Sequence, residues 1–191
     1  MGNDLVLDGP EFSCRQCGQC CCRDPYYAVS LLDIRNISQF LGLAPEEFFA
    51  RYCAIVPTPG GFRYPAILAP DGCPFLRGKI CAIHFVKPIG CWVFPESALL
   101  PLKDLKRSVT AIADCGILSL PDDSRPLRAD LELLAARDVH FEHTKKYCEE
   151  HGEFDERSWA LAIDHLIEEL ADAGGLERRA RALREKAEGR Q

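Results

Sequence analysis

The sequence has no run of about 18 apolar residues, which excludes a membrane-spanning helix. Its first fourteen residues contain Asp4, Asp8 and Glu11 but no Lys or Arg, so the basic start and apolar run of a secretory signal are both missing. Gly2 opens a myristoylation-like start, yet Val6 stands where Ser or Thr is wanted. The chain is therefore expected to be cytoplasmic. Basic charge is scarce as well. Twenty-three Lys and Arg face 29 Asp and Glu, a net charge of −6, which argues against a general nucleic-acid binder. No Gly-x-Ser-x-Gly element or dinucleotide fingerprint is present. Gly72 to Lys79 looks like a phosphate loop, but five residues separate its glycines and Ile80 replaces the Ser or Thr. Any enzyme here must work through a metal or a partner.

What the chain does have is cysteine, placed unevenly. Ten of the 11 cysteines precede residue 120 and only Cys148 follows. Charge is distributed the other way. Residues 1–126 carry 12 Lys and Arg against 13 Asp and Glu, and residues 127–191 carry 11 against 16. The 191 residues, 47% hydrophobic, suffice for one domain or one domain with a helical appendage. In a reducing cytosol disulfides rarely persist, which leaves metal ligation or inert packed thiols. Scattered cysteines suit packing. Four within eight residues do not.

Apolar residues recur at helical spacing from Ser30 to Leu41, at Leu31, Ile34, Ile37, Phe40 and Leu41. Ser30 is placed to cap this helix, Asp33 stands in its first turn and Gly42 closes it. Pro45 opens a second, shorter helix reaching about Cys53. Pro57, Pro59, Gly60 and Gly61 then break the chain. Phe62–Leu68 reads as a strand, and Phe75–Leu76 with Ile80–Ile83 as a small hairpin over Arg77-Gly78-Lys79. Val109–Ala113 reads as a further strand or as a helix, and Leu120–Pro126 is the clearest linker. Beyond it the pattern is helical. Leu131, Leu134, Ala135 and Val139 mark one helix, and Trp159, Ile163, Leu166, Ile167 and Leu170 a sharper stripe. Residues 176–190 are mostly charged and are expected to fray.

The chemical signal is Cys14-Arg-Gln-Cys17-Gly-Gln-Cys20-Cys21-Cys22. A Cys-x-x-Cys turn brings two thiolates to one metal while nearby N–H groups face the sulfurs. Three cysteines at this double spacing also open the bacterial ferredoxin pattern, but Asp24-Pro25 stands where its Cys-Pro would be. A fourth ligand must come from elsewhere. The candidates are Cys73-Pro-Phe-Leu, Cys81-Ala-Ile-His84, Lys87-Pro-Ile-Gly-Cys91 and Asp114-Cys115-Gly116, each beside a marked local feature. His84 is read as a packing residue. His140 and His143 are read as solvated histidines on an acidic helical face.

These blocks resemble the YkgJ-type cysteine-cluster family, the zinc- or iron-chelating CxxCxxCC domain, from Phe12 to about Gly116. The resemblance rests on the CxxCGxCC knuckle, the Asp33-Ile34 helix, and the Cys73-Pro-Phe-Leu, Cys81-x-Ile and Pro88-x-x-Cys91 blocks. By position it implies Cys14, Cys17, Cys20, Cys21, Cys73, Cys81, Cys91 and Cys115 as metal ligands. Cys22, Cys53 and Cys148 fall outside the pattern and read as packed or free thiols. His84 replaces the family's usual Tyr, Lys87 its Arg, and Trp92 a second Arg.

The expected architecture is α+β, a small irregular metal-stapled domain at 10–120 followed by a helical extension at 126–191. The expected cofactor is an iron–sulfur cluster, with the [4Fe–4S] type favoured by the ferredoxin-like spacing, or zinc or iron ions. One function class is a redox component acting with a protein partner. The other is a zinc-stapled binding module without catalysis. A cysteine nucleophile is weaker, since no His or Asn stands recognisably ready to activate one. Adjacent residues on an extended chain point to opposite sides, so Cys20 and Cys21 are expected to serve two different four-ligand sites.

Overall fold

The computed structural model describes residues 25–58, 60–93, 131–151 and 155–188. The architecture is α+β: a three-stranded antiparallel sheet, a two-stranded hairpin and helices on both sides of the sheet. The first elements are β1 (Tyr26–Ala28), α1 (Leu31–Leu41), α2 (Pro45–Tyr52), β2 (Cys53–Pro57) and β3 (Arg63–Leu68). The hairpin β4 (Leu76–Arg77) and β5 (Ile80–Cys81), a 3-10 turn at His84–Val86 and the short α3 (Ile89–Trp92) follow. Three helices complete the described chain: α4 (Leu131–His151), α5 (Glu156–Ala171) and α6 (Ala173–Glu188). Among the described residues no helix is long and apolar enough to cross a membrane.

Helix α1 starts and stops where its sequence signals stand. Ser30 Oγ accepts the Asp33 N–H at 3.0 Å while Asp33 Oδ2 accepts the Ser30 N–H at 2.8 Å, a capping box. Gly42 closes the helix at φ +68°, a conformation costly for a residue with a Cβ. Helix α2 begins with Pro45 at its first turn, and its predicted end at Cys53 is where β2 begins. Strands β1 and β2 were not foreseen. Prolines and glycines near β2 masked it, and three-residue β1 is too short to show a period.

Strand β3 lies between β1 and β2, with Ala66 opposite both Ala28 and Ala54. A proline in a central strand removes a ladder donor. Pro65 escapes most of that cost by its position. Its carbonyl accepts the Val29 N–H at 3.0 Å, so its ring nitrogen faces the same flank, just past the end of β1. β3 is buried on both faces. Tyr64 lies with its ring centroid 5.1 Å from that of Phe141 in α4, while Ile67 and its partner Cys53 join the main core.

That core gathers Val29, Ile34, Ile37, Phe48, Ile67, Phe75 and Ile83 together with Tyr147, Cys148, Trp159 and Ile163. Helices α4 and α5 therefore share one hydrophobic cluster with α1, α2 and the sheet. The predicted stripes are largely as expected: Leu131, Leu134, Ala135 and Val139 are buried in α4, and Trp159, Ile163 and Leu166 in α5. Ile167 departs, being 38% exposed. Trp159, Ile163 and Leu166 follow the i, i+4, i+7 line, and Ile167 is rotated about 100° off Leu166 onto the flank.

The expected fraying of 176–190 is overturned for the described part of that segment. Helix α6 runs to Glu188, with half-buried Leu176, Arg179, Ala180, Leu183 and Arg184 along one side. Arg179 pairs it with its neighbours, contacting Glu142 of α4 at 2.9 Å and Glu169 of α5 at 2.6 Å. The high charge that suggested a loose tail instead supplies its pairing.

Candidate metal centre

Cys73, Cys81 and Cys91 lie on one stretch with little regular structure, and single anchors fix it. Phe75, 3% exposed, stacks on Phe48 at 6.1 Å and meets Tyr52 at a tilt at 5.0 Å between ring centroids. The Cys73 carbonyl accepts the Leu76 N–H at 3.1 Å, a tight turn that leads from Cys73 into β4. β4 pairs Leu76 with Cys81 and Arg77 with Ile80, and Gly78 supplies the positive φ (+62°) in between. The predicted hairpin is thus present with shorter strands. Ala82 N–H closes its base on the Phe75 carbonyl at 2.8 Å, and Ile83 is buried beneath. Cys73 and Cys81 are half-buried and pack against the main core.

Cys91 sits in α3. Its N–H donates to the Pro88 carbonyl at 2.8 Å, and the Ile89 N–H donates to Asp33 Oδ1 at 2.9 Å. The same carboxylate therefore caps two helix starts, α1 through Oδ2 and α3 through Oδ1. Asp33 is 5% exposed, and burial raises its pKa from 3.8 to about 6 even though the bonds from Ser30 and Ile89 oppose the rise. Cys91 itself is exposed, as are its neighbours Trp92 (45%) and Phe85 (83%). Lys87 Nζ stands 4.4 Å from the Trp92 ring centroid, so a Lys–Trp cation–π pair fills the two positions where the family resemblance leads one to expect arginines. His84 packs as expected, 5.8 Å from Phe85 and 6.2 Å from Trp92 between centroids.

The thiols outside the pattern differ sharply. Cys53 is 8% exposed and Cys148 6%, both within the core. Burial pushes Cys53 up to about pKa 12 and Cys148 to about 11, so each stays a protonated, inert thiol at neutral pH. That agrees with their reading as packed residues. Cys22 lies outside the described residues.

Cys14, Cys17, Cys20, Cys21 and Cys115 also lie outside the described residues, as do Val109–Ala113 and the Leu120–Pro126 linker. Among the described residues no three His, Cys, Asp or Glu side chains form a group able to hold an ion. Cys73, Cys81 and Cys91 are therefore at most part of a site. Their donor chemistry fits: soft thiolates at the edge of the core suit Zn²⁺ and Fe–S clusters alike.

The reading of His140 and His143 as solvated is overturned. His140 is 7% exposed, with Nδ1 2.8 Å from Ser30 Oγ. Burial, and secondarily the charge of His143, lowers its pKa to about 4. His143 is half-buried, 2.7 Å from Glu169. Thr144, wholly buried, accepts the Leu31 N–H at 3.1 Å and donates to the His140 carbonyl at 2.7 Å. The missed signal was periodic: Val139, His140, Thr144, Tyr147 and Cys148 follow one helical face. Its polar members are there to satisfy the open N-terminus of α1.

Residues 13–149 match the family described as CxxCxxCC, a putative zinc- or iron-chelating domain. The chain belongs to that family. The match runs from the cysteine knuckle through nearly all of α4, so the helix carrying His140 and Thr144 is part of the family domain. No solved structure matches the chain.

Proposed function

We propose that this is a metal-chelating protein in which Cys14, Cys17, Cys20, Cys21, Cys73, Cys81, Cys91 and Cys115 form two four-ligand sites for iron–sulfur, with the [4Fe–4S] type favoured, or for iron or zinc ions. The supporting observation is a sorting of the described thiols. Cys53 and Cys148, outside the sequence pattern, are sealed in the core with raised pKa values. Cys73, Cys81 and Cys91, inside it, are half-buried or exposed on a stretch anchored by Phe75, Ile83 and Asp33. In this reading residues 10–120 hold the cysteine cluster, and the helices of residues 126–191 extend and cover that part, α4 almost wholly within the family match and α5 beyond it. Bound iron–sulfur would supply one-electron transfer, with a protein partner or substrate docking near the cluster. The ferredoxin-like spacing of Cys14, Cys17 and Cys20 favours iron.

A second reading is a zinc-stapled binding module without catalysis. The observation that favours it is the scarcity of regular structure from 69 to 93, where the hairpin strands have two residues each and α3 has four. Coordination there would act chiefly as a staple. Full-length protein purified without oxygen separates the two. Iron with inorganic sulfide and broad absorption near ~400 nm is expected for the cluster. A colourless protein carrying zinc alone establishes the second reading.

A further inference from the structure

We infer that Asp33 is the positioning residue of the metal site, fixing the turn that presents Cys91. The inference rests on the reading of Cys91 as a ligand, proposed above. A buried carboxylate is retained at a cost unless its oxygens are occupied, and both are. Oδ2 closes the capping box of α1 and Oδ1 takes the Ile89 N–H at 2.9 Å, 56 residues along the chain. A helix cap needs only the first bond. The second ties the backbone two residues before Cys91 to a deeply packed helix, in which Ile34 and Ile37 are 0% exposed. Pro88 fixes φ just before the same turn, and its carbonyl accepts the Cys91 N–H at 2.8 Å, closing the turn over Ile89 and Gly90.

The tie is itself backed. Ser30 Oγ, which accepts the Asp33 N–H, meets His140 Nδ1 at 2.8 Å, and Thr144 accepts the Leu31 N–H. The start of α1 is thus bonded to α4 through Ser30 and Leu31 and to α3 through Asp33. Partners that orient ligands in this way typically contribute ten- to hundredfold to metal affinity. A carboxylate accepts from two N–H groups at once. An asparagine presents one acceptor oxygen and turns its NH₂ against the other donor.

The test uses the full-length chain loaded with Co²⁺, whose thiolate charge-transfer absorption reports sulfur ligation, and follows Co²⁺ loss to excess EDTA. Cys91→Ser should lower the absorption per cobalt. Asp33→Ala should release Co²⁺ about a hundredfold faster than wild type, and Asp33→Asn about tenfold faster. Leu166→Ala, which loosens the helical region at a wholly buried residue outside this tie, should release it at the wild-type rate. Unchanged absorption in Cys91→Ser sinks the ligand reading itself. If Cys91→Ser behaves as expected while Asp33→Asn keeps the wild-type rate, the positioning role is wrong. Equal acceleration by Leu166→Ala and Asp33→Asn also overturns it, because general loosening would then explain both. Should Asp33→Ala not fold, Asp33→Asn against Leu166→Ala decides the matter.

Discussion

Helices α4 and α5 and the stretch from Ala69 to Val93 are both tied into one core, but by different means. The helices contribute continuous stripes, in which Leu134, Ala135, Val139, Trp159, Ile163 and Leu166 are each under 5% exposed. The stretch contributes isolated anchors, namely Phe75, Ile83, Ile89 and the bond to Asp33. Stripes spread stability over many contacts and leave no room for a functional thiol; Cys148, on such a stripe, is buried and inert. Anchors separated by short turns leave the side chains between them at the edge of the core. Cys73, Cys81 and Cys91 are such side chains. Irregular structure here is what makes sulfur available.

The largest effects should come from truncating one aromatic in each region. Trp159→Ala and Phe75→Ala should each cost about 3–5 kcal/mol in denaturant unfolding of full-length protein. Their consequences for metal should differ. Metal per folded chain should stay at the wild-type level in Trp159→Ala and fall in Phe75→Ala, because Phe75 alone adjoins the candidate ligands. Equal loss in both would erase the contrast between the regions.

Next in size is a pH effect at the seam between α1 and α4. His140 has its pKa lowered from 6.5 to about 4, so the unfolded chain takes up a proton first as pH falls, and stability is lost between those values. Asp33 has its pKa raised from 3.8 to about 6, so the folded chain holds its proton longer, and stability is lost as pH rises through that window. The two slopes oppose each other. Wild-type stability should owe little net slope to this pair between pH 4 and 6. Relative to wild type, His140→Gln should gain up to about 3 kcal/mol as pH falls from 6.5 to 4, following the linkage of shifted pKa to stability. Urea midpoints at four or five pH values would check this. A difference that is constant with pH would show that His140 is not held neutral in the fold.

The smallest effect tests the edge of the helical region. Arg179, bridging Glu142 and Glu169, is one-third exposed, and such pairs contribute about 0–1 kcal/mol. Arg179→Ala should barely move the global unfolding midpoint while speeding amide exchange in α6. Unchanged exchange would mean that half-buried Leu176 and Leu183, rather than charge, hold the helix.

How far the sequence could be read follows the same division. Helix α1 was legible to its caps, because Ser30, Asp33 and Gly42 act within a few residues of the turns they control. The stripes of α4 and α5 were legible because burial there is periodic. The charged α6 was misread, since its partners Glu142 and Glu169 are distant in sequence from Arg179. Likewise His140 looked solvated, its buried partner Ser30 lying 110 residues away. In the candidate site, local setting and the family resemblance set Cys73, Cys81 and Cys91 apart from Cys53 and Cys148. Nothing local announced that Asp33, visible as a helix-start acid, also reaches Ile89 across 56 residues.

The central claim is tested most directly by metal content. Full-length protein purified without oxygen should carry zinc or iron. Cys73→Ser, Cys81→Ser and Cys91→Ser should each lower the metal per chain, while Cys53→Ser and Cys148→Ser retain the wild-type amount. A metal-free wild type, or core-cysteine variants that lose metal as readily as the other three, would contradict the account.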